Sequence, residues 1–287
     1  MYGGMTVPTI KLNDGTSIPQ FGLGVWQVPQ DEAEQVVSQA LEVGYRHLDT
    51  AQMYQNEAGV GAALKSAGLA REDVYVTTKL NNSQHDPAKA KASLERSLEL
   101  LGLDHVDLFL IHWPLPTRYD GAYPKTWEAL VGLRESGLTT SVGVSNFQPD
   151  HLDRIVAETG VVPAVNQIEV HPYFANEAAR AATVAHGAKV ESWSPLGQGG
   201  GELTDPVVAE IASAHGKSPA QVLLRWQIDR GDIVFPKSVR RERLEENLAI
   251  FDFALSADQV AALAALDKGE SGRSGANPDT FDWIPSF

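Results

Sequence analysis

The sequence predicts an α/β fold: a (β/α)8 TIM barrel with an N-terminal β-hairpin, extra helices and a C-terminal tail. Three observations lead there. Short apolar stretches alternate with helix-like stretches eight times, a pattern that makes a parallel sheet, and eight strands are the number that closes one into a barrel. The run Val106-Asp-Leu-Phe-Leu-Ile111 is nearly all apolar and is stopped by His112-Trp-Pro114, as in a strand buried on both faces. No Pro/Ser linker or low-complexity block divides the 287 residues, so one domain over 1–287 is expected, with a tail at about 269–287. A doubly wound dinucleotide-binding sheet fits less well. Its usual GxGxxG is missing, and Gly59-Val-Gly61 falls inside an expected helix without a third glycine.

Each element has its own signal. Thr9 to Ile18 reads as a hairpin around the turn Asn13-Asp-Gly15. Phe21–Gly24 is the first barrel strand, followed by a helix from Asp31 to Val43. Arg46–Asp49 is the second, with a helix from Glu57 to Ala67. Val74–Thr78 precedes a helix from Pro87 to Leu101, and Val106–Ile111 precedes one from Lys125 to Ser136. Thr140–Ser145 leads to Pro149–Glu158, and Ala164–Ile168 to Asn176–His186. Lys189–Trp193 is followed by two helices, Asp205–His215 and Pro219–Arg230. Ile233–Phe235 is the eighth strand, followed by Arg241–Ala249 and a last helix, Ser256–Leu266. Pro, Asp, Asn or Ser opens most of these helices, as residues that fit or cap a first turn do.

Composition narrows the function classes. With 43% hydrophobic and 21% charged residues the chain is ordinarily globular. Its net charge of -14 repels phosphate backbones and anionic membrane surfaces, so neither nucleic acid nor membrane is expected as a partner. There is no cysteine, hence no disulfide framework, thiol nucleophile or Cys-ligated zinc. No apolar run is long enough to span a bilayer, and MYGGMTVPTI lacks the basic start and apolar core of a signal peptide. A cytoplasmic location is expected. Met5 offers a second candidate start beside Met1.

In such barrels the chemistry sits at the C-terminal ends of the strands. Those ends carry Asp49 with Tyr54 just beyond, Lys79, His112, Ser145-Asn146, Asn166-Gln167, Ser192-Trp193-Ser194 and Lys237-Ser238. Packing needs none of these polar groups. Asp49, Tyr54, Lys79 and His112 make a coherent proton-transfer set. A phenol ordinarily titrates near 10, a poor match to neutral pH. A neighbouring ammonium is expected to lower it, Asp49 to keep that ammonium charged, and His112 to orient a carbonyl oxygen. Each residue also has an ordinary role to weigh: a capping Asp, a half-buried Tyr, a surface Lys, a packed His. One shared role explains all four more economically.

Two further stretches stand out. Lys237-Ser-Val-Arg-Arg-Glu-Arg-Leu-Glu-Glu-Asn247 puts basic residues at a helix start, where backbone N–H groups and Arg together bind phosphate. A solvated face balancing Glu242, Glu245 and Glu246 is the plainer alternative. Gly197-Gln-Gly-Gly-Gly201 reads as a loop able to fold over a ligand, or as a simple linker.

Taken together these residues resemble the aldo-keto reductase family, from about Val7 to Asp267. Gly44-Tyr-Arg-His-Leu-Asp-Thr-Ala51 with Tyr54 and Asn56-Glu57, Val142-Gly-Val-Ser-Asn-Phe147, and Pro236-Lys-Ser238 through Asn247 are similar to its signatures. Gly160-Val-Val-Pro-Ala-Val-Asn-Gln-Ile-Glu169 and Pro195-Leu-Gly-Gln-Gly199 resemble the bacterial 2,5-diketo-D-gluconate reductases within it. The resemblance implies NADPH-dependent reduction of a small-molecule carbonyl by a monomer, with no metal. It implies Tyr54 as the acid, completed by Lys79, Asp49 and His112. Ser145, Asn146 and Gln167 would hold the nicotinamide carboxamide and Trp193 would stack on its ring. Ser194, Leu196 and Gly197 would line the pyrophosphate path. Lys237, Ser238 and Arg243 would take the 2′-phosphate, with Val239, Glu246 and Asn247 near the adenosine. Trp26, Met53, Trp113 and Trp283 would join Trp193 in an apolar substrate wall. Three departures stand against the family pattern: Gln55 for a Gly after the tyrosine, Asn81 for a Trp, and Thr140 for a basic residue. Two rival readings are a barrel metal hydrolase, for which His47, His112 and His171 are the available histidines near strands, and a non-catalytic cofactor sensor.

Overall fold

The computed structural model describes residues 7–287; the two candidate starts, Met1 and Met5, lie outside them. A two-stranded hairpin, β1 (Thr9–Lys11) and β2 (Ser17–Pro19), opens the chain. Eight strands follow: β3 (Leu23–Gly24), β4 (His47–Asp49), β5 (Tyr75–Leu80), β6 (Val106–Ile111), β7 (Thr139–Ser145), β8 (Val165–Glu169), β9 (Lys189–Trp193) and β10 (Ile233–Val234). Consecutive strands pair in parallel from β3 to β10. The ends then meet: Phe21 bridges Val234 in parallel, and the Gly22 N–H donates to the Val234 carbonyl at 2.9 Å. The sheet is therefore closed into a barrel.

The helices are α1 (Gln30–Val43), α2 (Glu57–Ser66), α3 (Pro87–Leu101), α4 (Tyr123–Glu135), α5 (Pro149–Thr159), α6 (Glu177–Ala185), α7 (Pro206–His215), α8 (Pro219–Asp229), α9 (Arg241–Leu248) and α10 (Ala257–Ala264). Their apolar faces and the outer face of the sheet form the main core, which includes Leu41, Val60, Leu94, Trp127 and Leu224. The Gly59-Val-Gly61 stretch lies within α2. It serves helix packing, since a Cβ on Gly61 would stand 2.4 Å from the Leu100 carbonyl oxygen. A smaller cluster inside the barrel joins Leu108, Leu110 and Ile233 to Leu12 and Ile18 of the hairpin. Asn13 donates to the Pro163 carbonyl at 2.9 Å. The hairpin thus plugs one end of the barrel, and the other end is left for the site.

Boundaries shift where the sequence signals were incomplete. β5 runs two residues beyond the expected Thr78, through Lys79 and Leu80. α4 starts at Tyr123 because Pro124 fits in a helix's first turn. Gly269 to Gly272 form a short 3-10 turn within the expected tail.

Candidate active site

Strand periodicity aims the key side chains. Asp49 pairs in register with Thr77, and Lys79 lies two residues further along the same strand, hence on the same face. Lys79 is completely buried. Its ammonium donates to Asp49 Oδ1 at 2.6 Å, to the Thr50 carbonyl at 2.9 Å and to the Tyr54 hydroxyl at 3.3 Å. Three N–H donors meet three oxygens, so a buried cation is fully bonded. Burial alone would lower the lysine's pKa, but Asp49 and Tyr54 reverse that and raise it. For Asp49, burial raises the carboxyl against the pull of Lys79 and Gln167.

Tyr54 closes a short 3-10 turn, Gln52–Tyr54, whose next residue, Gln55, has φ +57°. That left-handed position explains why glycine is the common residue there; a side chain costs about 1–2 kcal/mol. The His112 ring meets the Tyr54 ring edge-on, with centroids 5.6 Å apart. Burial first, then Lys79 and His85, hold His112 well below its usual pKa, so the ring is neutral and donates through a single nitrogen. Its Nδ1 is buried without a hydrogen-bond partner among the described residues. The expected fall in the Tyr54 pKa is corrected here. Lys79 does pull it down, but burial pushes harder and the net direction is up. The phenol is a proton donor at neutral pH, not a phenolate.

Beside this group the β7–β9 ends form one hydrogen-bonded patch. Ser145 donates to the Gln167 carbonyl at 2.8 Å. Asn146 donates to the His112 carbonyl at 2.9 Å, and its own carbonyl accepts from the Trp193 indole at 2.8 Å. Gln167 donates across the barrel to Asp49 Oδ2 at 2.9 Å. Asn166 faces outward instead and bonds Thr183 on α6. Ser194 carries φ +52° and accepts from Gln198, while Gly197 is buried and Leu196 packs on the core.

At the eighth strand end, Lys237, Ser238, Val239, Arg240 and Arg243 line a cavity of about 240 Å³. No side chain caps the N-terminus of α9. Three cations and a helix start suit a phosphate. Arg243 also touches Glu246 at 2.8 Å, and Asn247 is buried just behind. Arg240 was not among the expected contacts; its position next to Arg241 in a basic run left it without a distinguishing signal.

The apolar residues separate into two kinds. Trp26 and Trp283 stand exposed, and Met53 is half-buried. Trp113 packs on Phe281 of the tail at 4.1 Å between centroids, a partner that no local sequence pattern marked. The tail crosses the mouth on further anchors: Asn82 donates to the Trp283 carbonyl at 3.0 Å, and Arg118 bonds Asp282 at 2.9 Å. Asn81, at the position of the family's Trp, accepts from the Ser83 N–H at 2.9 Å and caps a turn.

The glycine run did not show that its neighbour, Glu202, is buried. Glu202 lies 2.8 Å from His171 Nδ1, at ion-pair distance rather than in hydrogen-bond alignment, and His171 Nε2 bonds Glu169 at 3.0 Å. Glu169 accepts from the Gly275 N–H at 3.0 Å. One imidazole therefore ties the post-β9 loop and the tail to β8. Gly197 lets the Glu202 carboxylate pass, since a Cβ there would meet it at 2.1 Å. His47 is held apart by the Pro19 carbonyl and Thr77. Among the described residues no three His, Asp or Glu side chains are grouped to hold a metal ion.

Comparison with known proteins shows the family. Residues 15–268 match the Aldo/keto reductase family. The chain is 49% identical to methylglyoxal reductase DkgA of Yersinia pestis over 276 residues, 96% of this chain and 97% of that protein. An aldo/keto reductase structure from Brucella melitensis superposes with a TM-score of 0.89 at 48% identity, covering 92% of this chain and all of that one. A mutant of the protein Gox0644, solved in complex with NADPH, superposes with a TM-score of 0.92 at 45% identity, covering 97% of this chain and all of that one.

Proposed function

This chain belongs to the aldo/keto reductase family, and from that premise we propose how its residues divide the work and what it acts on. It reduces aldehydes and ketones to alcohols with NADPH. The one observation that carries the division of roles is Lys79 Nζ, bonded to both Asp49 and the Tyr54 hydroxyl. In this reading Tyr54 donates the proton to the substrate oxygen. Lys79 stabilises the phenolate left behind, Asp49 keeps Lys79 charged, and neutral His112 orients the carbonyl. NADPH, when bound, supplies the hydride. The residues fit it: the cationic cavity of Lys237, Ser238, Arg240 and Arg243 matches a 2′-phosphate, with Val239, Glu246 and Asn247 beside it. Ser194, Leu196 and Gly197 line the stretch between. Ser145, Asn146, Gln167 and Trp193 make the nicotinamide subsite.

The proposed substrates are small dicarbonyls, keto sugars or keto acids, as the name of the 49% identical reductase suggests. Trp26, Met53, Trp113 and Trp283 form their apolar surround. The proposal includes a cytoplasmic monomer of one domain acting without nucleic acid or membrane. The net charge of -14 supports the last point, and among the described residues no helix is long and apolar enough to cross a membrane. The test is NADPH consumption with methylglyoxal, a diketo sugar acid, a keto acid and a plain aldehyde. Turnover highest with one of the first three is expected. Tight NADPH binding with no turnover of any carbonyl would replace this reading with the sensor.

A further inference from the structure

Glu191 on β9 is completely buried, and the roles proposed above do not use it. It stands beside Gln167 in the β8–β9 register. The amide nitrogen of Gln167 donates to Asp49 Oδ2 at 2.9 Å and to Glu191 Oε2 at 3.0 Å. An amide has two N–H donors, and both are thereby committed. Turned over, the amide would break both bonds and set its oxygen against the Asp49 carboxylate. Its own oxygen is left to accept from a donor such as a carboxamide N–H.

The charges around this bridge are unequal. Asp49 has an ammonium at 2.6 Å, whereas Glu191 Oε1 has no hydrogen-bond partner among the described residues. One cation balances one carboxylate, so Asp49 takes the charge and Glu191 stays a neutral acid. Burial first, then the Asp49 charge, push Glu191 up to about 8. The titratable groups facing it are Asp49 from β4 and Lys79 and Tyr75 from β5. Burial and then Glu191 itself hold Tyr75 well above its usual range, so it keeps its proton. His47, in contact with Tyr75, is lowered by burial to about 4 and stays neutral. The β10 residue opposite Glu191 is Ile233, which carries no charge.

We propose that Glu191 is a positioning residue of the nicotinamide subsite: it locks the face that Gln167 presents to the carboxamide, and its proton sets the preference between reduced and oxidised cofactor. The proposal rests on the NADPH reading above. The oxidised nicotinamide ring is a cation and the reduced ring is neutral. With Glu191 protonated, Asp49 and Lys79 cancel and the subsite gains nothing from a cationic ring. Ionised Glu191 adds an unbalanced negative charge in a low-dielectric interior, which favours the cation. At neutral pH the acid form therefore helps the spent cofactor leave.

The test is to measure dissociation constants of NADPH and NADP⁺ on the whole chain, from about one unit below to about one unit above pH 8. Their ratio is the readout, because the phosphates and adenosine titrate alike in both and cancel. In the unmutated protein the NADP⁺ to NADPH ratio is expected to fall roughly tenfold as pH rises. In Glu191→Gln it stays at its low-pH value. Glu191→Leu removes the acceptor, and kcat falls roughly tenfold, the effect of one neutral hydrogen bond. Glu191→Gln restores that kcat, since its amide oxygen still accepts from Gln167. A pH-independent ratio in the unmutated protein, or one that titrates equally in Glu191→Gln, overturns the charge role. A Leu variant with unchanged kcat overturns the locking role. No NADPH binding by the unmutated protein would overturn the cofactor reading itself.

Discussion

Two groups of charges share the barrel mouth and are built in opposite ways. Lys79 and Asp49 are sealed from solvent at 2.6 Å, with side-chain exposures of 0% and 4%. Lys237, Arg240 and Arg243 stand in water, and Arg243 is 55% exposed. The buried pair is held in place by strand register and by its hydrogen bonds. Taking its charges out of water is costly, so neither partner can be removed alone. The exposed cations cost little to place, add little to stability and are screened by salt. In the proposed division of roles the barrel commits its interior to chemistry and leaves the choice between NADPH and NADH, which lacks the 2′-phosphate, to its surface. A surface site can change by substitution without threatening the fold.

The largest effect expected from breaking this contrast is at the buried pair. Lys79→Met leaves Asp49 as an uncompensated buried carboxylate. Stability should fall by about 3–5 kcal/mol and carbonyl reduction should be lost. Urea unfolding and turnover measure the two. An unchanged unfolding midpoint would mean that Asp49 and Lys79 do not act as an ion pair. Next comes Tyr54→Phe, which keeps the ring and removes the donor. Reduction should slow by about 10²–10⁴-fold, while NADPH affinity stays close to normal. Near-normal turnover would take Tyr54 out of the mechanism.

Arg243→Ala probes the exposed group. Charged hydrogen bonds contribute about 1.5–3 kcal/mol, so NADPH affinity should weaken about tenfold to a hundredfold. NADH affinity and thermal stability should barely change. Equal weakening for both cofactors would assign Arg243 to the support of α9 and not to phosphate. The smallest effect concerns His171, a buried cation site intermediate between the two. Burial would lower its pKa, but Glu169 and Glu202 raise it overall above the usual 6.5. Its contribution to stability is fully present below that unfolded value. It is lost as pH rises through the elevated folded value. Melting curves of the unmutated protein and His171→Gln should converge as pH increases from about 6.5. A gap that widens instead would show that the imidazole is neutral in the fold.

The contrast also explains what the sequence could reveal. Strand ends were legible because apolar runs stop abruptly at polar residues, as at Ile111-His112, and a barrel gathers such ends in one place. β6, β9 and α3 fall at the expected residues. The net pKa direction of Tyr54 was not legible, because it depends on how completely the surrounding chain excludes water. The Glu169–His171–Glu202 tie was hidden for another reason. Glu202 follows a glycine run that reads as a mobile loop or a linker, and the space its carboxylate occupies exists because Gly197 has no Cβ. The partners of Trp113 and Asn82 lie in the tail, far along the chain. No local periodicity encodes contacts of that kind.

The closure of the barrel has a consequence for how the chain is made. Gln20, just before β3, donates to the carbonyls of Ile228 and Asp232, the second of them 212 residues later. Phe21 and Leu23 are fully enclosed only when β10 arrives beside them. At about 5–20 residues per second on a ribosome, the first strand waits roughly ten to forty seconds for its neighbour. Throughout that interval its free edge has no partner on one side. The nascent protein is a growing open sheet whose earliest segment is the last to be sheltered. A chain that stops anywhere short of Val234 would present that edge permanently, so losing little more than about the last fifth of the length is enough to leave the barrel open.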